Sequence, residues 1–219
     1  MASGFPGSID NFTDPLSNSP LTSPNHATLH ADVNDAVEKI ETYMGLVKVI
    51  PTSVSAGSTL SADGTISFTS QSTVSVNGAF TSLYRNYRLV INTGDPATNQ
   101  TFTMRMRASG SDNSTSNYYR MLFGVYSGGT ESTTGAASSF AIGFVGQGSR
   151  FSADFSVMSP QAVDRTSITG TGISNRSTFT AITGLTISGW FDGDTQFDGF
   201  SLLFGANTTG TIRVYGYRN

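Results

Sequence analysis

The chain has no cysteine, one tryptophan and little charge: 12% of its residues are Asp, Glu, Lys or Arg, against roughly a quarter in an average globular protein. Without cysteine there are no disulfides, no zinc–thiolate sites and no thiol nucleophile. With only 12 Lys and Arg, a net charge of −3 and no basic cluster, the surface is a poor electrostatic match for nucleic acid. No apolar run approaches the ~18 residues of a transmembrane helix, so no membrane insertion is expected. Residues 1–11 are rich in Gly, Ser and Pro, with neither a basic nor an apolar block, so no signal peptide is expected. No alternation of strands with helices is visible, which excludes a nucleotide-binding α/β fold. No repeat of 20–50 residues is visible either, which excludes a solenoid or repetitive shaft.

What fills the gap is hydroxyl. Ser and Thr make up about a quarter of the 219 residues, beside 24 glycines. Hydrophobic residues at 37% and aromatics at 11% are enough for a packed core. A hydroxyl-covered surface is common in extracellular and virion-surface β-proteins.

The chain reads in three parts. Residues 1–23 form an extended arm, broken by Pro6, Pro15 and Pro20. Phe5, Ile9, Phe12, Leu16 and Leu21 recur along it, too many large apolar groups for a purely solvating tail. They are expected to anchor in another protein, the alternative being that the arm folds back on its own domain. Residues 24–48 form the second part, built on a helix over 24–44 that Ser23 can cap, Pro24 can open and Gly45 can close. Val33, Val37, Ile40, Met44 and Val47 repeat in a 4-3-4-3 pattern, the seam of a short coiled coil. Self-association along that seam is the expectation, packing on its own β-domain the alternative. β-Branched residues at both kinds of seam position lean toward a trimer.

Residues 49–219 switch to period two. Tyr87, Leu89 and Ile91 alternate with polar residues, as do Phe102, Met104 and Met106. Tyr119, Met121, Phe123 and Val125 share one face of a further run; Phe151, Phe155 and Val157, Phe200, Leu202 and Phe204, and Ile212 with Val214 repeat the theme. Alternation of this kind means strands with one buried face. Asp63-Gly64 and Asn77-Gly78 are hairpin signals. The expected fold is mainly β: a jelly-roll-like antiparallel β-sandwich head, preceded by an extended arm and one coiled-coil-like helix.

Chemistry-bearing groups are sparse. His26 and His30 lie four apart on one helical face, a spacing that suits metal, but no third ligand is near in sequence. They fit either an axial ion in a trimer or a plain polar layer. Asp192, Asp194 and Asp198 form an acidic cluster without EF-hand spacing, which fits a turn more simply than calcium. No acid–base constellation points to an enzyme, so no catalytic residue, metal or cofactor is expected. Residues 109–117, 127–138 and 190–199 are the candidate recognition loops. Tyr118, Trp190, Asp192 and Asp194 are the candidate receptor contacts, with Trp190 able either to stack on a sugar or to fill the core.

The stretch Pro24-Asn25-His26-Ala27-Thr28-Leu29-His30-Ala31-Asp32-Val33-Asn34-Asp35-Ala36-Val37-Glu38-Lys39-Ile40 resembles a segment near the N-termini of tailed-phage fibre and other appendage proteins. Tyr84–Leu89, Arg105–Asn113 and Gly210–Tyr217 are similar to the heads of such proteins. The resemblance implies a homotrimer in the virion, joined to other virion proteins by its N-terminus, with a β-head facing outward. The candidate loops, rich in Ser, Thr and Gly with a few aromatics and acids, are expected to meet a host cell-surface glycan. The expected function is therefore a structural phage virion protein, a short trimeric tail fibre or spike. A capsid decoration, cement or head-fibre protein is the alternative, and a glycan hydrolase a remote one.

Overall fold

The structure is a computed structural model that describes residues 26–43, 45–94, 96–126, 129–175 and 182–217. The arm residues Phe5, Ile9, Phe12, Leu16 and Leu21, together with Met44, lie outside the described residues. The chain divides into two compact units, one with the helix and one, Leu46–Tyr217, with every described strand.

Helix α1 spans His26–Tyr43. Its interior has neither Gly nor Pro, and Ala, Leu, Glu and Lys supply helix propensity. Just beyond it Gly45 takes a φ of +82°, a left-handed conformation that ends helices and suits residues without a Cβ. Val33, Val37 and Ile40 are all exposed. Val47 does not continue the seam. It lies in a strand, opposite Gly216, because the chain after Gly45 pairs with the C-terminal strand instead of extending the helix.

The second unit is one antiparallel sheet of 14 strands. In chain order they are β1 Leu46–Val49, β2 Ser53–Val54, β3 Ser58–Leu60, β4 Ile66–Asn77, β5 Asn86–Gly94, β6 Gln100–Ala108 and β7 Ser111–Asp112. Then follow β8 Tyr118–Tyr126, β9 Gly129–Ala137, β10 Phe140–Val145, β11 Phe151–Met158, β12 Thr166–Asn175, β13 Ile182–Phe191 and β14 Gly199–Tyr217. The main path runs β10-β6-β14-β5-β11-β12-β13-β8-β9. The 19-residue β14 bonds to β1, β4, β5 and β6, so the C-terminal strand ties the early strands together. The sheet also turns back over itself. Strand β10, bonded to β6 at one end of the path, packs across β8, β11, β12 and β13 from the other part. Every residue of β10 is buried, as a strand between two layers requires.

Asp63-Gly64 closes the β3–β4 hairpin, as its sequence suggests. The Ser61 hydroxyl, the Thr65 amide and hydroxyl, and Lys48 all donate to the Asp63 carboxylate and hold it well below the usual carboxylate range. Asn77-Gly78 makes no hairpin: β4 pairs with β2, β3 and β14, not with β5.

Aromatic rings dominate the core. Phe151, Phe102, Phe204 and Phe68 form one chain of contacts with centroids 4.9–5.3 Å apart. Phe140, Tyr118, Phe191 and Phe197 form a second, at 4.8–5.0 Å and mostly edge to face. Tyr118 is wholly buried. Its hydroxyl accepts from the Met106 amide at 3.0 Å and donates to the Asn113 carbonyl at 2.8 Å. A phenol in this setting satisfies a buried backbone donor and ties the 109–117 segment to the core.

Two outcomes follow from the Tyr118 environment. Tyr118→Phe leaves the Met106 amide unsatisfied and lowers unfolding free energy by about 1–3 kcal/mol, measurable by urea titration. Burial also pushes the Tyr118 phenol up to about 12. The unfolded phenol ionises near pH 10, so its stabilisation is complete below about pH 10 and is lost as pH rises toward about 12. Alkaline unfolding should therefore show a falling stability over that window, with a shallower slope in Tyr118→Phe.

Candidate interaction face

The feature that stands apart from ordinary packing is the outer side of β12, β13, β8 and β9. Pairing places four cross-strand rows there. The first is Ser167, Trp190, Tyr119 and Ala136; the second is Thr169, Ser188, Met121 and Thr134. The third is Thr171, Thr186, Phe123 and Ser132; the fourth is Ile173, Gly184, Val125 and Thr130. None of these positions carries a charge. Down β8 runs a ridge of Tyr119, Met121, Phe123 and Val125, bordered on both sides mainly by Gly, Ala, Ser and Thr. The ridge residues, with Trp190 and Ile173, are 38–51% exposed.

The period-two pattern of β8 is as the sequence predicts, but the faces are reversed. The large residues at 119, 121, 123 and 125 point out, and Tyr118 and Leu122 point in. The reason lies beneath the sheet. A Cβ on Gly189 would sit 2.6 Å from the Tyr119 carbonyl oxygen and 3.0 Å from Phe140 Cδ1. A Cβ on Gly170 would sit 2.3 Å from that of Phe155. The Phe140 ring lies under Gly189 and the β11 chain at Asp154 and Phe155 closes on Gly170, so these two inward positions hold glycine.

Trp190 is 46% exposed and stacks on Tyr119, with centroids 5.3 Å apart and planes 17° from parallel. Next to the pair is a depression of about 320 Å³ lined by Tyr119, Arg120, Met121, Thr134, Gly135, Ser188, Gly189 and Trp190. Arg120 Nε is buried there without a hydrogen-bond partner. Charge reappears at the margins: Arg165 pairs with Asp192 beyond the Trp190 row, and a second pair lies past β12. On β11 and β5, Asp154 accepts from both Nε (2.6 Å) and a terminal nitrogen of Arg88, and this pairing raises the guanidinium pKa further. The face thus has an apolar centre, a hydroxyl surround and two self-neutralised ion pairs at its margins.

The other sequence candidates lie elsewhere. Tyr118 is a core residue and offers nothing to a ligand; Tyr119 is its exposed neighbour. Asp192 is engaged by Arg165 Nε at 2.8 Å, and Asp194 is exposed. Asp198 Oδ2 accepts from the Ser109 amide at 3.0 Å. Among the described residues, no three of His, Asp and Glu converge as a metal site would need.

The three candidate loops are less free than their composition suggests. Most of 127–138 is strand β9, and Trp190 and Phe191 end strand β13. The 109–117 segment is held by Arg107, which donates to Asp112, to the Gly110 carbonyl, and to Asn77, Ser75 and Ser201. Ser201 Oγ donates to Asp112 at 2.7 Å, but Ser201 is wholly buried and no histidine joins the pair. The cluster is a clamp on the β6–β7 turn. Among the described residues, no helix is long and apolar enough to cross a membrane.

No protein-family model and no curated protein matches the chain. Among solved structures it is similar to the SPRY domain of human HERC1, at 11% identity and a TM-score of 0.33, over 80% of this chain and 99% of that one. It is also similar to a protein of unknown function from Shewanella oneidensis, at 10% identity and a TM-score of 0.27, over 80% of each chain.

Outer and inner positions of the paired strands β8 and β13 should respond differently to truncation. Leu122→Ala opens a buried cavity and costs about 2–5 kcal/mol. Trp190→Ala opens no core cavity; it loses the stack on Tyr119, worth about 0.5–1.5 kcal/mol beyond the area the ring covers. Thermal melts of the two variants check the difference.

Proposed function

We propose that the chain is a non-enzymatic structural virion protein of a tailed phage, a short trimeric fibre or spike with a β-head that contacts the host surface. The observation that carries this reading is the uncovered seam of α1. Val33, Val37 and Ile40 recur at i, i+4 and i+7, all exposed. An 18-residue helix is marginal in water, and a bare apolar stripe on it calls for other helices of the same kind. The resemblance of residues 24–40 to phage appendage segments points to the same association. The head suits an exterior role through its neutral, hydroxyl-rich surface. It is read as a jelly-roll-like sandwich, because sheet neighbours such as β14–β5, β11–β5 and β13–β8 are joined by long connections instead of hairpins. The arm at 1–23 supplies the docking peptide in this reading.

Light scattering tests it directly: the full chain should have the mass of a trimer at micromolar concentration. Val37→Glu with Ile40→Glu buries charge in the seam and should dissociate it, at unchanged β-sheet circular dichroism. A chain that stays monomeric without any substitution overturns the reading. Phage carrying a chain that lacks 1–23 should lose the protein from their virions, and normal incorporation would remove the arm's anchoring role.

A further inference from the structure

The bare face over β8 calls for an occupant, and we infer that it is another copy of this chain, the β8 ridge of each head packed against the β13 strip of its neighbour. This rests on the reading that the chain self-associates, and it adds where the heads touch.

Three observations favour a copy over a foreign partner. First, none of the outward row positions carries a charge, and the charges at the margins pair with one another (Arg165 with Asp192, Arg88 with Asp154), so a strongly charged partner finds little to pair with beyond Arg120 in the depression, whereas two such faces meet with little charge to desolvate. Second, the relief offers two matching parts, as a contact repeated around a three-fold axis needs. The β8 ridge of Met121, Phe123 and Val125 stands beside the low strip of Ser188, Thr186 and Gly184, so the ridge of one copy can lie in the strip of the next. Third, the size is right. Four strands about 4.8 Å apart and about 3.4 Å per residue give a footprint of roughly 19 by 24 Å. Its six exposed large side chains offer roughly 500 Å² of apolar surface, at the top of what a monomer ordinarily shows. With the hydroxyl residues between them, the face approaches the ~800 Å² per partner of a stable interface. The aromatic pair is less suited to a sugar, because Trp190 and Tyr119 cover one another's faces. Helix association would also hold the heads at a high effective concentration, so even a modest face-to-face affinity would keep this contact closed.

The absence of cysteine makes the test clean. In the full chain, Thr186→Cys places a single thiol in the low strip beside Phe123, and Ala62→Cys places a control thiol on the exposed β3–β4 turn. Maleimide labelling of Cys-variant protein is compared in the oligomer and in the same chain carrying Val37→Glu and Ile40→Glu. The strip thiol should react about tenfold more slowly in the oligomer than in the dissociated chain, with the control equal in both. Phe123→Glu should remove that protection and, if the helix still associates, leave the mass unchanged. A trimer in which the strip thiol labels as fast as the control overturns the face assignment and leaves the trimer reading intact. Labelling that is fast in the trimer but slowed by host envelope fragments assigns the face to the host and overturns the proposal. A monomeric chain overturns both.

Discussion

The organisation of the head depends on strand β10 being buried between two layers of one sheet. Phe140–Val145 leaves no exposed residue, and its first ring packs on Tyr118 and against Gly189. Close packing at native density means that space filled from one side is denied to the other. The Phe140 ring and the β11 chain occupy the volume beneath Gly189 and Gly170, and Ile168, Leu185 and Ile187 fill the rest of the inner face of β12 and β13. The apolar side chains of β8 then stand on the outer surface. One packing constraint in the core thus creates the surface on which the interaction argument rests.

That sequence of causes also explains which parts were legible beforehand. The switch from a helical period to period two after about residue 50 is a local property, and so is the alternation in β5, β6, β11 and β14. These strands bury the side chains that the pattern selects, Tyr87, Leu89 and Ile91 in β5 for example. Strand β8 shows equally good alternation, yet its large residues are outside. Alternation reports two faces; it does not say which is covered, because coverage is decided by strands remote in sequence. The inward glycines at 170, 172 and 189 were the available signal, since a strand with small residues on one face is one whose neighbour approaches closely. Read together with β8, they would have selected Tyr119 over Tyr118.

The extension of the seam to Val47 failed for a related reason. Val47 fits the heptad spacing, but the pairing of Leu46–Val49 with Val214–Tyr217 involves the opposite end of the chain. Local spacing cannot anticipate a strand partner about 170 residues away. The same holds for the loops: Ser- and Thr-rich composition describes 127–138 accurately, but β9 is a strand because β8 supplies its hydrogen bonds.

The two exposed apolar surfaces differ in kind, and the difference bears on how an assembly would form. The α1 stripe is narrow: three residues on one side of a helix, with charged and polar groups elsewhere. Such a seam sets register and copy number through geometry and contributes modest energy. The β8 face is broad and flat, with more apolar area but little to fix orientation, since Ser, Thr and Gly around the ridge tolerate sliding. A flat neutral face alone would be an aggregation hazard. In the proposed assembly, the helix supplies the specificity the face lacks, and the face supplies area the helix lacks. The order follows from that division: helix association first fixes how many heads meet, and only then does the face become a closed contact between a defined set of copies.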